Sequence, residues 1–391
     1  MMYVDYPRLL PTEQLQGLEP LQLPDAARLQ HIDLPPDQAL SRASIEMMAG
    51  RPVLRITPTM DSGGSIEQMR ITANRFNLLT GAAFQRVPDH DLQKVAATFG
   101  RYSAISGGVA GLKETPIDQW TVQTFRSNAP LMRADYADPA GTQIYISATS
   151  GEVVQQTTRG ERFWGWLGAV PHWLYPTLLR QNGPLWSQVV IWTSLIGCFL
   201  TLTGLWTGIA RLQRKRDGTI GSRFRGIWWW HHIFGLWFGA LTLTWVASGL
   251  FSMNPWGFLD SMSGFNERQL LAGRMDWKSV RQAFAARPQL PEDTVRLDAA
   301  PLGGRMYLAA ITRSGRVFRF DHEGRARPLD KGSLKTSLAD VGSVSTLDFL
   351  TDCQRRSKSR PFGGVKPGHR VTCRGEWREG VARGPLPPAL V

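Results

Sequence analysis

The sequence lacks charge in two long stretches. Residues 181–210 contain no acidic or basic side chain, and residues 226–259 contain none apart from His231 and His232. Each stretch exceeds the roughly 20 apolar residues that an α-helix needs to cross a bilayer. Both are therefore predicted to be transmembrane helices. The alternative is a buried helical hairpin in a soluble protein, where uncharged runs of this length are rare.

Cysteine and the common catalytic motifs are also scarce. Cys198 lies inside the first uncharged stretch and is interpreted as a small apolar residue, whereas Cys353 and Cys373 would pair only in an oxidising compartment. The sequence contains no zinc-ligand spacing and no attachment motif for covalent haem. It also lacks G-x-S-x-G, H-E-x-x-H, a P-loop and a dinucleotide fingerprint. Hydrolase, kinase and flavin-enzyme functions of those classes therefore have no support.

The excess of positive over negative charge lies almost entirely in two segments of a chain whose net charge is +13. The segment 211–226 has six basic residues and one acidic residue, and the segment 353–391 has nine basic and two acidic residues. Because the rest is nearly neutral, we expect no nucleic-acid partner. A short basic loop between two spans is typical of the cytoplasmic side. The lipid bilayer is thus the expected partner, with 211–226 in the cytoplasm and both flanks outside.

The pattern along the chain predicts a multi-domain membrane protein with two transmembrane α-helices and periplasmic α+β modules with antiparallel sheets. The predicted segments are an α+β module over 1–165, a Trp-rich interfacial segment over 166–185, a transmembrane helix over 186–210, the basic loop 211–226, a second transmembrane helix over 227–252, a second and incomplete α+β module over 260–352, and a disordered basic tail over 353–391.

Local patterns give the expected elements of the two modules. Helices are predicted at 35–50, 88–100, 275–288 and 332–342 from their caps and periodicity. Strands are predicted at 51–57, 118–125, 131–138, 294–300 and 324–330, with hairpins around Thr80-Gly81, across 142–158 and around Ser314-Gly315. The succession of strand, Ser-Gly turn and strand occurs in both modules. This likeness predicts that the two modules are related.

Histidines in the second uncharged stretch are the strongest candidates for function. His231 and His232 lie near its cytoplasmic end, and ionisable groups inside a membrane are costly. Neutral imidazole is a common axial ligand of haem iron. Adjacent helical positions point about 100° apart, so only one of the two can face a given partner, and His232 is the slightly favoured candidate. The alternative is that both belong to the aromatic belt beside Trp228–Trp230.

His172 and four glycines complete the candidate set. His172 lies in the Trp-rich stretch before the first span and is predicted either to ligate a haem or to anchor the chain at the interface. Gly204 and Gly208 in the first span and Gly235 and Gly239 in the second are spaced as small-xxx-small pairs. Gly235 and Gly239 would let a flat macrocycle or a neighbouring helix approach closely, and the alternative for both pairs is plain helix–helix packing.

Two stretches carry a resemblance to a known family. The run GTQIYISATSGEVVQQTTRGERFWGWLGAVPHWLYP and the run RFRGIWWWHHIFGLWFGALTLTWVASGLFSMNPWG resemble the PepSY-associated transmembrane proteins. The resemblance covers about residues 1–350. It implies a bacterial inner-membrane protein with periplasmic PepSY-type modules. Many members are iron-regulated, and some are haem-containing ferric-siderophore reductases.

The family pattern implies a function and also features that this sequence does not contain. It implies electron transfer through haem b to ferric siderophore iron, with His231 or His232 serving a cytoplasmic haem and His172 a periplasmic one. Members usually begin with a His-bearing helix and continue past the second module to another His and span. We therefore expect an export helix before residue 1, and a frameshift or truncation at 353–391. The alternative function is a non-catalytic, membrane-anchored PepSY module that binds peptides or peptidases.

Overall fold

The computed structural model describes residues 6–59, 74–214, 218–257 and 271–329, together with 332, 334 and 338. The predictions for the tail 353–391, for the first strand of the hairpin before Thr80, and for most of the helix at 332–342 lie outside these residues.

The described residues form nine α-helices, two 3₁₀ helices and twelve strands. The α-helices are α1 Pro11–Gln16, α2 Asp89–Tyr102, α3 Phe125–Asn128, α4 Arg159–Leu167, α5 Ala169–His172, α6 Thr177–Arg180, α7 Gly183–Ala210, α8 Ile227–Ser252 and α9 Trp277–Ala285, and the 3₁₀ helices are Ala26–His31 and Pro255–Gly257. The strands are β1 Leu40–Met48, β2 Arg51–Pro58, β3 Asn74–Asn77, β4 Val109–Thr115, β5 Leu131–Tyr136, β6 Gln143–Ser147, β7 Val153–Thr157, β8 Leu212–Arg214, β9 Ile220–Ser222, β10 Thr294–Ala299, β11 Leu308–Thr312 and β12 Val317–Phe320.

These elements divide into two compact units. The hairpin unit comprises Tyr6, residues 117–123 and the described residues of 161–257, which include α7 and α8. The sheet unit comprises the remaining described residues and contains both large sheets.

The sheet unit has two antiparallel sheets. One has six strands in the order β12-β11-β10-β1-β2-β3, and the other has four in the order β4-β5-β6-β7. In the six-stranded sheet Ile45 of β1 pairs with Leu54 of β2 on one side and with Leu297 of β10 on the other. Strands from before and after the apolar helices therefore share one sheet, whereas the sequence analysis assigned them to separate modules over 1–165 and 260–352.

Each sheet has its own hydrophobic core. Helix α9 supplies Trp277 and Phe284 to the core of the six-stranded sheet, where they join Ile45, Leu54 and Leu297. The core of the four-stranded sheet combines side chains of α2 with those of β5 and β6: Leu92, Phe99, Met132, Ile144 and Ile146. The long uncharged helices contribute to neither core.

A similar succession of elements occurs twice in the sheet unit. A helix precedes three consecutive antiparallel strands in each case: α2 precedes β5, β6 and β7, with β4 and α3 between, and α9 directly precedes β10, β11 and β12. The first of the three strands carries an Arg-x-Asp pair in each case, Arg133–Asp135 at 3.2 Å and Arg296–Asp298 at 3.1 Å. The hairpins predicted across 142–158 and around Ser314-Gly315 are confirmed, and Gly151 and Gly315 adopt positive φ at their turns.

The helix predicted at 35–50 is wrong, because this segment contains strand β1. The run of residues 43–48 is buried throughout. Its polar residues Ser44 and Glu46 alternate with Ala43, Ile45 and Met47, a strand period that the sequence analysis did not use. The run ends in a two-residue turn between Met48 and Arg51, where Ala49 and Gly50 both have positive φ. Gly50 thus shapes a hairpin, whereas the sequence analysis interpreted it as the end of a helix.

The strand predicted at 118–125 is also wrong, because the segment forms turns that lead into α3. One oxygen of the Asp118 carboxylate accepts hydrogen bonds from the backbone N–H groups of Trp120 and Thr121, both at 2.9 Å. Side-chain acceptors of this kind favour a turn over a ladder. Strand β4 was not predicted, since its mostly exposed residues VAGLKET show no clear alternation.

Five of the remaining predicted elements agree with the structure. The strands at 51–57, 131–138 and 294–300 and the helices at 88–100 and 275–288 are confirmed within a few residues. The segment 324–330 contributes only an isolated bridge between Ala326 and Phe320 in its described part. Antiparallel sheets with helices are thus confirmed as the coarse fold of the flanking segments.

The hairpin unit contains the two uncharged helices. Helices α7 and α8 are long and apolar enough to cross a membrane, and they agree with the predicted spans 186–210 and 227–252 to within three residues. Only 6% of the most apolar window of each helix is buried. Most of their side chains are therefore at least partly uncovered in the structure, unlike those of the core helix of a soluble protein.

Candidate functional site

The two adjacent histidines of α8 point in different directions. His231 is exposed, whereas His232 is only 8% exposed and is the buried residue of this helix. Such divergence follows from the 100° rotation between consecutive helical residues. The pair therefore does not form one site.

His232 uses both ring nitrogens in hydrogen bonds. Its Nε2 lies 2.7 Å from the carbonyl oxygen of Gly208, and its Nδ1 lies 2.6 Å from the hydroxyl oxygen of Ser222. A carbonyl only accepts, so Nε2 carries a proton, and in the neutral ring Nδ1 accepts the Ser222 hydroxyl. Both positions through which imidazole binds a metal are thus occupied.

These contacts tie the loop between the apolar helices to the helices themselves. Strands β8 and β9 form a small hairpin in which Leu212 pairs with Ser222. The Ser222 hydroxyl also accepts the backbone N–H of Phe224 at 3.1 Å, and the Phe224 ring packs edge-on against the His232 ring. His232 therefore connects the last turn of α7, the loop and the first turns of α8.

His231 has a different environment. Its ring lies beside Trp228 with centroids 6.4 Å apart, and it makes no hydrogen bond within the described residues. Gly235 lies four residues later, so it shares a helix face with His231. A Cβ atom built at Gly235 would find no atom within 4 Å. The exposed imidazole therefore stands next to open space on the outer face of α8.

His172 lies near the opposite end of the hairpin. It is the last residue of α5, it is exposed, and its ring lies 6.0 Å from that of Trp245. Trp245 follows His232 by 13 residues, which corresponds to roughly 20 Å along the helix axis. The structure thus separates His172 from His231 and His232 and does not bring the three predicted ligands together.

The four glycines divide between packing and open surface. A Cβ atom at Gly208 would lie 2.7 Å from Leu236, and one at Gly239 would lie 3.0 Å from Leu205. These two glycines therefore allow α7 and α8 to pack closely. Gly204 and Gly235 have no neighbour within 4 Å of the same position, so they remain available to a further partner.

An aromatic cluster surrounds the start of α7. The ring of Tyr175 lies 5.3 Å from Trp186 and 5.8 Å from Tyr6, and Arg180 lies over Trp186 at 4.6 Å. The side chain of Gln119 donates to the Tyr175 carbonyl at 2.6 Å. Burial raises the pKa of Tyr6 above its ordinary value, with a further contribution from Asp118. This arrangement has the composition of the interfacial segment predicted at 166–185.

The sheet unit contains a buried charge network that sequence reasoning missed. The Arg55 guanidinium donates to the Glu46 carboxylate at 2.5 Å and to the Ser150 carbonyl at 2.6 Å, and it lies 3.7 Å from Glu152. It thereby joins β1 and β2 to the turn between β6 and β7. Alternation along β1 and β2 places these charges opposite the apolar core, but nothing in the sequence identifies their partners.

Burial and neighbouring positive charges have opposite effects on the pKa values of the carboxylates in this network. Burial alone would raise the pKa of Glu152, but Arg55 and Arg42 lower it below its ordinary value. Nearby on β10, burial raises the pKa of Asp298 despite the opposing effect of Arg296. The network joins strands β1 and β2 to the turn between β6 and β7, so we assign it a structural role.

No group of three His, Cys, Asp or Glu side chains in the described ranges is placed to hold a metal ion.

No family model matches the chain, and neither a curated protein nor a solved structure matches it. The functional argument therefore depends on the residues themselves.

Proposed function

We propose that this chain is a bacterial inner-membrane protein of the PepSY-associated type that takes part in haem b-dependent electron transfer to ferric siderophore iron. One observation carries the proposal: the exposed imidazole of His231 stands beside the open space at Gly235 on an uncharged helix. An ionisable group on such a surface is expensive in a bilayer unless it serves a partner.

The uncovered surface of α7 and α8 supports the membrane part of the proposal. Leu241, Trp237 and Phe238 are all more than half exposed, as are several side chains of α7. In water this much apolar surface would associate or aggregate. In a bilayer the acyl chains cover it, and the backbone polar groups are satisfied within each helix.

The residues fit haem ligation at two separate levels. His231 would hold one macrocycle and His172 another, each with an imidazole that makes no hydrogen bond within the described residues. Haem b would supply a one-electron couple whose potential depends on its axial ligands and surroundings. Gly235 would allow a flat group to approach α8 next to His231.

The geometry changes the preference between the adjacent histidines. The sequence analysis favoured His232, but its two hydrogen bonds to Gly208 and Ser222 support a structural role. On this proposal His232 fixes the cytoplasmic ends of the helices, and His231 faces the partner.

Spectroscopy of purified variants tests this proposal. The full chain is expressed with added haem and purified in detergent, and its Soret absorbance is measured per protein. His231→Ala and His172→Ala are each expected to lose a large part of the absorbance, while His232→Ala lowers stability more than haem content. His322→Ala is the matched control, because His322 is an exposed histidine of the sheet unit. Absence of Soret absorbance in the unmodified chain would rule out this chain as a haem carrier.

Strand β4 favours one alternative, a non-catalytic module that binds peptides. Among the described residues β4 pairs with β5 alone, and its residues Ala110 and Gly111 are exposed. An edge strand of this kind can take up an extended peptide by strand addition. Ala110→Pro would remove peptide capture without changing haem content, which distinguishes the two functions.

A further inference from the structure

A groove of about 390 Å³ lies in the sheet unit. Its lining residues come from α9, from the segment before β11 and from the segment after β12: Ser279, Gln282, Arg305, Met306, Tyr307, Asp321, His322 and Arg327. The volume lies within the range of sites for small molecules.

The register of the sheet explains why these distant residues meet. Leu308 at the start of β11 pairs with Phe320 at the end of β12. Residues 306–307 therefore lie across from residues 321–322. Phe320 and Leu308 share a core with Phe284 of α9, which places this helix beside the two strands. Ser279 and Gln282 of the same helix therefore also line the groove.

The groove carries unbalanced positive charge. Within the described residues neither Arg305 nor Arg327 forms an ion pair, and both side chains are exposed. The single carboxylate of the lining, Asp321, accepts backbone N–H groups of Glu323 at 3.0 Å and Arg325 at 2.9 Å. Its acceptor capacity is thus partly used by its own turn, and the two guanidinium groups remain available.

The groove also has an aromatic and apolar wall. The Arg319 guanidinium lies 3.5 Å from the centroid of the Tyr307 ring, which fixes that ring by a cation–π contact. Met306 packs against the core. Ser279 and Gln282 add hydrogen-bonding groups opposite this wall. A cleft with an ordered wall and a few converging polar groups is typical of small-ligand sites.

We propose that this groove binds a small free anion that carries carboxylate or phosphate groups, held by Arg305 and Arg327. Guanidinium groups recognise both kinds of anion through paired hydrogen bonds. The inference does not depend on haem binding, since every residue that carries it belongs to the sheet unit.

Titration calorimetry on the full chain in detergent tests the proposal, with citrate and inorganic phosphate as probes. Citrate or phosphate is expected to bind, and added salt is expected to weaken the binding. Arg305→Gln and Arg327→Gln should each weaken it by about tenfold, and the double variant by about a hundredfold. Arg316→Gln is the matched control, since Arg316 is exposed near the same hairpin but does not line the groove.

Three results would overturn the proposal. The first is that the unmodified chain binds neither probe. The second is that the two arginine variants bind as well as the control. The third is that vesicles of phosphatidylglycerol bind in a way that depends on Arg305 and Arg327 while the soluble probes do not, which would assign the groove to a lipid headgroup. Circular dichroism of each variant confirms that its fold is retained.

Discussion

The two units of this protein handle apolar side chains in opposite ways. In the sheet unit Trp277, Ile45 and Leu54 are at most 1% exposed, while in the hairpin unit Trp237 is 71% exposed and Leu241 is 59% exposed. The sheet unit buries its apolar surface within itself, as water-soluble domains do. The hairpin unit leaves its apolar surface for the surroundings to cover. A single average hydropathy for the whole chain conceals this difference.

The same substitution in the two units should give the largest difference in stability. Trp277→Ala removes a fully buried ring from the core around α9 and is expected to lower the free energy of unfolding by about 3–5 kcal/mol. Trp237→Ala removes an exposed ring of α8 and should change the free energy of unfolding little. Urea unfolding in detergent, followed by circular dichroism, measures both. Equal losses would show that Trp237 is packed in a way that the structure does not describe.

A charged substitution tests what surrounds the exposed apolar surface. Leu241→Lys places a cation in the middle of α8, where membrane insertion is expected to cost about 2.5–3.5 kcal/mol. Leu79→Lys is the matched control, because Leu79 is 42% exposed in the sheet unit. The variant at Leu241 should reduce the carbonate-resistant membrane fraction, and the control should not. Full retention of the Leu241 variant would argue against a membrane-spanning α8.

The adjacent histidines provide a third, smaller contrast. His232→Ala removes one hydrogen bond from the Gly208 carbonyl and one from the Ser222 hydroxyl, so we expect the free energy of unfolding to fall by about 1–3 kcal/mol. His231→Ala changes an exposed ring and should leave thermal stability in detergent almost unaltered. If the two variants were equally stable, His232 would not connect the loop to the helices.

Acid should weaken the sheet unit through its buried charge network. The folded-state pKa of Glu152 is lowered against burial by Arg55 and Arg42. Its stabilising contribution is therefore present above the unfolded pKa of about 4.3 and is lost as the pH falls through the folded value. Asp298 acts in the opposite sense, because burial raises its pKa and favours its protonated form.

Glu152→Gln should accordingly cost about 1 kcal/mol at neutral pH and reduce the loss of stability below about pH 5. Glu114→Gln provides the control, since Glu114 makes an exposed pair with Arg86. Unfolding curves at several pH values measure both variants. An unchanged pH dependence in Glu152→Gln would show that this carboxylate does not contribute.

Sequence patterns predicted the hairpin unit better than the sheet unit. A helix of more than 20 uncharged residues needs no tertiary partner to be recognised, so α7 and α8 were located to within three residues. Strand β1 depends on partners far away in the chain, since β10 lies some 250 residues further on. Its helix-favouring residues Ala43, Glu46 and Met47 gave no indication of that pairing.

The candidate site likewise depends on contacts that the sequence does not reveal. The sequence places His231 and His232 together, and helical geometry predicts that they diverge. Only the contacts of Gly208 and Ser222 show which of the two faces inward. The groove near Tyr307 could not be predicted either, because it depends on the register of β11 and β12.

Topology is the central claim, and site-specific labelling measures it most directly. The structure allows exposed positions to be chosen: Ala110 and Gln289 in the sheet unit, and Ile220, which is 73% exposed in the loop between the apolar helices. Single cysteines at these positions are introduced after Cys198, Cys353 and Cys373 have been replaced by serine. A membrane-impermeant maleimide is then applied to intact spheroplasts.

We expect labelling at Ala110→Cys and Gln289→Cys and none at Ile220→Cys until the membrane is permeabilised, because a short basic loop between two spans is expected on the cytoplasmic side. The reverse pattern would contradict the account, and so would labelling at all three positions in intact spheroplasts.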